Sequence, residues 1–147
     1  MALQVNGDVL GLFATYSSLL LMKLLAMSLI TSYKRITKGK FANPEDAARG
    51  FGKVQKDDDV ERIRSAHLND LEFIPAYLLI ALFWTLLANP AQSTARNLFA
   101  IVTAARFMHS TVYVTGLPHK IRSASWAIAY GIALYMAGST LSTVGKF

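Results

Sequence analysis

Arg106, His109 and Tyr113 follow one another at intervals of three and four residues inside an otherwise apolar stretch. That spacing puts all three on one face of a helix. An arginine cannot shed its charge in a protein, so among apolar neighbours it calls for an anion. A second polar stripe lies earlier in the chain, at Arg62, Ser65, Asn69 and Glu72, again at helical spacing. Its cation, amide and carboxylate stand in a row, a set that could hold a zwitterionic, polyanionic peptide. Arg122 and Ser123 open a further apolar stretch, at the same depth as that stripe. Together these groups could build one pocket for an anionic ligand. Each also has a plain structural reading: a capped helix start, a satisfied core histidine, an interfacial arginine.

The elements that must carry these residues are apolar helices. The 147 residues are 53% hydrophobic, and the apolar ones gather in four long runs, over residues 9–32, 66–88, 95–115 and 121–143. A helix needs about 20 mostly apolar residues to cross the hydrocarbon core. Only helices and closed barrels satisfy their backbone groups in lipid, and these runs are too continuous for alternating barrel strands. The sequence predicts an all-α integral membrane protein, one four-helix bundle over residues 1–147. The first run lacks the basic flank and short core of a cleaved leader, so it is expected to remain as a helix. Pro75 removes a backbone donor inside the second and is expected to kink it.

A polar segment over residues 33–65 separates the first two spans and is expected to form turns at Asn43-Pro44 and at Gly39, Gly50 and Gly52. Asp57, Asp58 and Asp59 suit a helix N-terminus. The segment holds most of the basic residues, and Lys120 and Arg122 fall on the same side, so the loop is expected to be cytoplasmic and both termini lumenal. The net charge of +6 is thus a topological signal, and no nucleic-acid module is present to make it anything else. Lys23 lies about 15 Å along its helix from the loop, too deep to reach water. Its partner is expected to be Asp70 or Glu72. Ala127, Gly131 and Gly138 are expected to serve close helix packing.

The chain contains no cysteine. Disulfides, thiolate metal sites and cysteine nucleophiles are excluded, and any thiol chemistry must use a thiol from the substrate. His67 with Asp70, or His109 with a carboxylate of the second span, supplies too few ligands for a metal. No metal is expected.

Several segments resemble the microsomal glutathione transferase family, the membrane-associated proteins of eicosanoid and glutathione metabolism. They are Phe41-Ala42-Asn43-Pro44-Glu45-Asp46, Val60-Glu61-Arg62, and Ala66-His67-Leu68-Asn69-Asp70-Leu71-Glu72, with Arg106, His109, Tyr113 and Arg122. The likeness spans nearly the whole chain. It implies a homotrimer of four-helix subunits in the endoplasmic reticulum membrane, with the outer mitochondrial membrane left open as a second location. It implies glutathione as co-substrate, bound between subunits near the cytoplasmic face, and small hydrophobic electrophiles arriving through the lipid.

The binding set carried over is Arg35, Arg64, His67, Asn69, Glu72, Arg106, His109 and Tyr113, with Glu72 meeting the peptide's ammonium group. Arg122 is expected beside the sulfur, favouring the thiolate, with Ser123 assisting. Some positions depart from the pattern. Ser65 replaces an arginine found in both the transferase and the prostaglandin E synthase branches, and Arg64 stands one position away. Leu68 is transferase-like, whereas Ser123 matches the synthase branch. Ala47 replaces the cysteine through which thiol reagents activate the transferase. The resulting expectation is a glutathione transferase that also reduces lipid hydroperoxides. A prostaglandin E synthase-like isomerase and a non-catalytic membrane scaffold are the alternatives.

Overall fold

The computed structural model describes residues 6–145. Helix α1 spans Gly7–Lys38 and begins where the Asn6 side chain accepts hydrogen bonds from the amides of Asp8 and Val9. The helix contains no proline, runs through Gly11, and ends at Gly39, whose φ of 60° is left-handed. At 1.5 Å per residue α1 is about 48 Å long, against a hydrocarbon core of about 30 Å. Its last turns therefore carry Lys34, Arg35 and Lys38 beyond the apolar stretch.

The polar segment, expected to consist of turns, has a small fold of its own. Strand β1 (Lys40–Phe41) pairs in parallel with β2 (Lys53–Val54), and the short helix α2 (Pro44–Arg49) makes the crossover between them. Phe41 and Ala47 are buried beneath it. Helix α3 (Asp58–Phe83) starts from Asp57, whose carboxylate accepts from the amides of Asp59 and Val60 at 3.1 and 3.2 Å. The acidic run thus fills the role expected of it. The helix runs unbroken through Pro75 and closes with one π turn, Trp84–Ala88, ended by Asn89 at φ 45°. Helix α4 (Gln92–Thr115) stops at Gly116, with φ 73°, and α5 (His119–Val144) follows Pro118.

Helix α1, α3 with its π turn, α4 and α5 are each long and apolar enough to cross a membrane. Their most apolar windows have mean hydropathies of 1.7, 1.9, 1.2 and 1.3, yet no more than 39% of any window is buried. Most of that apolar surface therefore faces outward, as it must when lipid is the solvent. Inside, α1 packs on α3 and α4, and α5 packs on α4, α3 and the π turn. An aromatic core fills the end of the bundle away from the loop, where Trp84 meets Phe99 edge to face at 5.9 Å and donates to the Ser139 hydroxyl at 3.2 Å. Met27, Ile63 and Ala66 form a smaller cluster nearer the loop.

Ala127, Gly131 and Gly138 were expected to pack helices together. In this chain all three are exposed, and a Cβ added to either glycine would meet nothing within 4 Å. Their small faces lie on the outside of the bundle.

Candidate active site

A buried polar layer separates the two apolar clusters. Lys23 of α1 donates from Nζ to Asp70 Oδ2 on α3 and, at 2.7 Å, to Ser110 Oγ on α4. Ser110 Oγ donates in turn to Asp70 Oδ2 at 2.8 Å. Arg106 Nη2 donates to Asp70 Oδ1 at 2.5 Å and to Asn69 Oδ1 at 2.9 Å. Of the two carboxylates the sequence offers Lys23, the fold selects Asp70. Glu72 is two residues further on, about 200° around the helix, and it is exposed where Asp70 is fully buried. The anion that Arg106 requires is thus supplied from within the chain.

From this layer the α4 stripe leads toward the loop side. The Arg106 guanidinium lies 4.8 Å from the Phe73 ring centroid. Its Nε and Nη1, and Nδ1 of His109, have no hydrogen-bond partner among the described residues. The His109 and Tyr113 rings meet edge to face at 5.8 Å. Arg122, at the start of α5, stands 4.2 Å from the centroid of Tyr113. Arg122 and Ser123 are both half-buried, and Ser123 Oγ lies 3.2 Å from His119 Nδ1, one helical turn earlier. Asn69, Arg106, His109, Tyr113 and Arg122 therefore form one connected series across three helices. Gly116 shapes the α4–α5 turn beside it, at a φ of 73° that favours glycine, with the end of the flexible Arg62 side chain close by.

The remaining expected residues lie apart from that series. Arg35 and Arg64 share a cavity of about 380 Å³ with Lys40, Phe41 and Gln55, between the end of α1, the loop and the start of α3. Arg64 Nη1 also donates to Glu61 at 3.2 Å. Glu72 borders a cleft of about 120 Å³ between α3 and α5, beside Tyr77 and Tyr130. His67 is half-buried on α3. Among the described residues no three His, Asp or Glu side chains gather as a metal would require.

Two features escaped the sequence reading. Ser110 has no charge to draw attention, though it lies one turn from Arg106 on the same face. Lys38 binds both Asp57, at 2.8 Å, and Asp59, at 2.6 Å, and so ties the end of α1 to the start of α3. The hydrogen bond from Lys38 holds the Asp57 carboxyl below the usual carboxylate range. Its signal was the run of three aspartates facing a basic helix end.

The chain is 43% identical to microsomal glutathione S-transferase 1 of Mus musculus, over 90% of this chain and 89% of the relative. Against the Homo sapiens protein of the same name the identity is 41%, over the same shares. Prostaglandin E synthase of Bos taurus is 36% identical, over 88% of this chain and 82% of its own. The resemblance carried by the loop and the helical stripes is thus borne out along the chain. With residues 13–142 matching the family described as MAPEG, this chain belongs to the MAPEG family.

Proposed function

We propose that this chain joins the glutathione thiolate to hydrophobic electrophiles delivered by the membrane, with Arg122 stabilising the sulfur's charge. It is a membrane-bound glutathione transferase, as its relatives named microsomal glutathione S-transferase 1 are. The observation that carries the assignment to Arg122 is its place against Tyr113. There a guanidinium is half-buried, held on an aromatic face and free of any carboxylate partner among the described residues.

A free thiol has a pKa near 8.5, so little of it is thiolate at neutral pH. A fixed cation beside the sulfur favours the charged form. The thiol proton leaves to solvent. The sulfur lone pair then forms the new C–S bond, and the leaving group departs with its bonding electrons. Ser123, next to Arg122, can donate a hydrogen bond to the sulfur. With a lipid hydroperoxide, two glutathione molecules supply the two electrons. The O–O bond breaks to give alcohol and water, and the glutathiones become a disulfide.

In this reading Glu72 receives the ammonium group, while Arg35 and Arg64 meet carboxylates. Asn69 orders the peptide backbone, with the buried Arg106 and His109 behind it and His67 at the edge. One chain spreads these groups over separate cavities, and a homotrimer would bring Arg35 of one copy toward Arg122 of the next. The outward-facing Ala127, Gly131 and Gly138 offer close approach between copies. The endoplasmic reticulum membrane, with the loop toward the cytoplasm, is the proposed location.

The test is conjugation of a chloronitrobenzene by the detergent-purified protein, with Arg122→Ala beside it. Activity that collapses in the variant supports the assignment, and equal activity removes Arg122 from it. Glutathione binding without conjugation would favour the second reading, a prostaglandin E synthase-like isomerase. The likeness to prostaglandin E synthase and the presence of Ser123 support that reading.

A further inference from the structure

The tip of the polar loop is built in an unusual way. Phe51 has a left-handed backbone, φ 50°, and its side chain is fully exposed. Its setting is a helix C-terminus. The amide of Gly50 bonds the carbonyl of Asp46 at 2.9 Å, and the amide of Gly52 reaches back to the carbonyl of Ala47 at 3.0 Å. That second bond marks a Schellman motif, in which Phe51 occupies the position normally given to glycine. A glycine there would be unstrained.

The glycines lie instead on either side of it. A Cβ on Gly50 or Gly52 would overlap the Phe41 ring, so both are needed to clamp the loop onto that buried residue. The clamp leaves residue 51 directed away from the protein, and the chain places a phenylalanine there at the cost of backbone strain.

The direction of the tip follows from what surrounds it. Asp46, Arg49 and Gly50 share a cavity of about 420 Å³ with Ser32, Arg35 and Ile36 of α1. The loop therefore folds back along α1, by about 9 Å from the helix end, to the level of Ser32. That is where the apolar part of α1 gives way to its basic end. Tyr33, Ile36 and Val54 are exposed in the same region. Lys40, Arg49, Lys53 and Lys56 outnumber Glu45, Asp46 and Asp57 in the loop, and Asp57 is already paired with Lys38.

We propose that Phe51 is a membrane anchor, whose ring enters the loop-side interface of the bilayer while Arg49, Lys53 and Lys56 meet anionic headgroups. Phenylalanine supplies the buried apolar face of segments that lie in the bilayer interface, and basic residues near it are drawn to anionic lipid. The anchor pins the loop that walls the Arg35 cavity. It requires only that the four apolar helices span the membrane, whatever the chain catalyses.

The chain lacks cysteine, so Phe51→Cys and Lys56→Cys each accept a single nitroxide, whose apolar ring stands in for the phenylalanine at position 51. The full-length variants would be placed in phosphatidylcholine vesicles, with and without phosphatidylserine. The expected result is oxygen accessibility exceeding that of a water-soluble nickel chelate at position 51, the reverse at position 56, and a deeper position 51 when phosphatidylserine is added. Equal nickel accessibility at the two positions would overturn the proposal. So would spin–spin broadening at position 51 that is insensitive to lipid, which would assign the ring to a second copy of the chain.

Phe51→Gly relieves strain and is expected to fold at least as well. In vesicles its trypsin cleavage at Arg49 and Lys53 should be several-fold faster than that of the parent, and in detergent no faster. Slower cleavage in both settings would also overturn the anchor.

Discussion

Arg122 holds its guanidinium 4.2 Å from the centre of the Tyr113 ring, joining the start of α5 to the last turns of α4. The ring gives the cation a fixed seat without neutralising it, since an aromatic face attracts a charge but takes no proton from it. A cation kept whole in this way remains available to a thiolate. Arg122→Ala should therefore raise the pKa of bound glutathione. Conjugation at neutral pH should fall about tenfold for each unit by which that pKa comes to exceed the assay pH, and activity should recover as pH increases. The check is the pH profile of kcat with a chloronitrobenzene. A profile lowered equally at every pH would make Arg122 a structural residue.

The seat itself can be altered separately. Tyr113→Phe keeps the aromatic face, whereas Tyr113→Leu removes an interaction worth about 0.5–1 kcal/mol. The leucine variant should lose severalfold in kcat and the phenylalanine variant much less. Equal losses in both would show that the phenolic hydroxyl, rather than the ring, matters to the reaction.

Asp70 and Glu72 are two residues apart and should respond to amide substitution in different ways. Asp70→Asn leaves Lys23 and Arg106 buried without their shared anion. Breaking a buried pair of this kind costs about 3–5 kcal/mol, so thermal unfolding in detergent should shift markedly downward. Glu72→Gln should leave unfolding nearly unchanged and raise KM for glutathione. A glutathione analogue without its α-amino group should bind parent and Glu72→Gln alike. If the analogue distinguishes them, Glu72 does not contact the ammonium group.

What the sequence disclosed follows from the kind of constraint at each position. The helices were legible because the bilayer imposes length and apolarity on a continuous run, and Lys23 and Arg106 because charge stands out inside such a run. The choice of Asp70 over Glu72 needed the rotation of α3 relative to α1 and α4, which one helix's periodicity cannot supply. Ser110 is neutral and small, so nothing local singled it out. The β1–α2–β2 fold rests on Gly50 and Gly52 closing over Phe41, a contact between residues that glycine-rich composition alone reads as turn. The Arg122–Tyr113 contact depends on the sharp turn at Gly116 and Pro118, which fixes how α5 returns against α4.

The tie between Lys38 and Asp57 gives the loop a dependence on pH. The Lys38 hydrogen bond lowers the Asp57 pKa from its ordinary value of 3.8. A carboxylate depressed in the folded state adds stability above its unfolded pKa, and that stability is lost as pH falls through the lower, folded value. The tie should thus be intact at neutral pH and fail below about pH 3.8. Both groups are near the surface, so salt should weaken it. The measurement is hydrogen exchange over residues 40–56, corrected for the intrinsic effect of pH. Protection should be steady at neutral pH and fall in acid. Asp57→Asn should begin with less protection and show a smaller acid step, since it retains a capping oxygen but no charge. If the variant shows the same acid step as the parent, another carboxylate controls the loop.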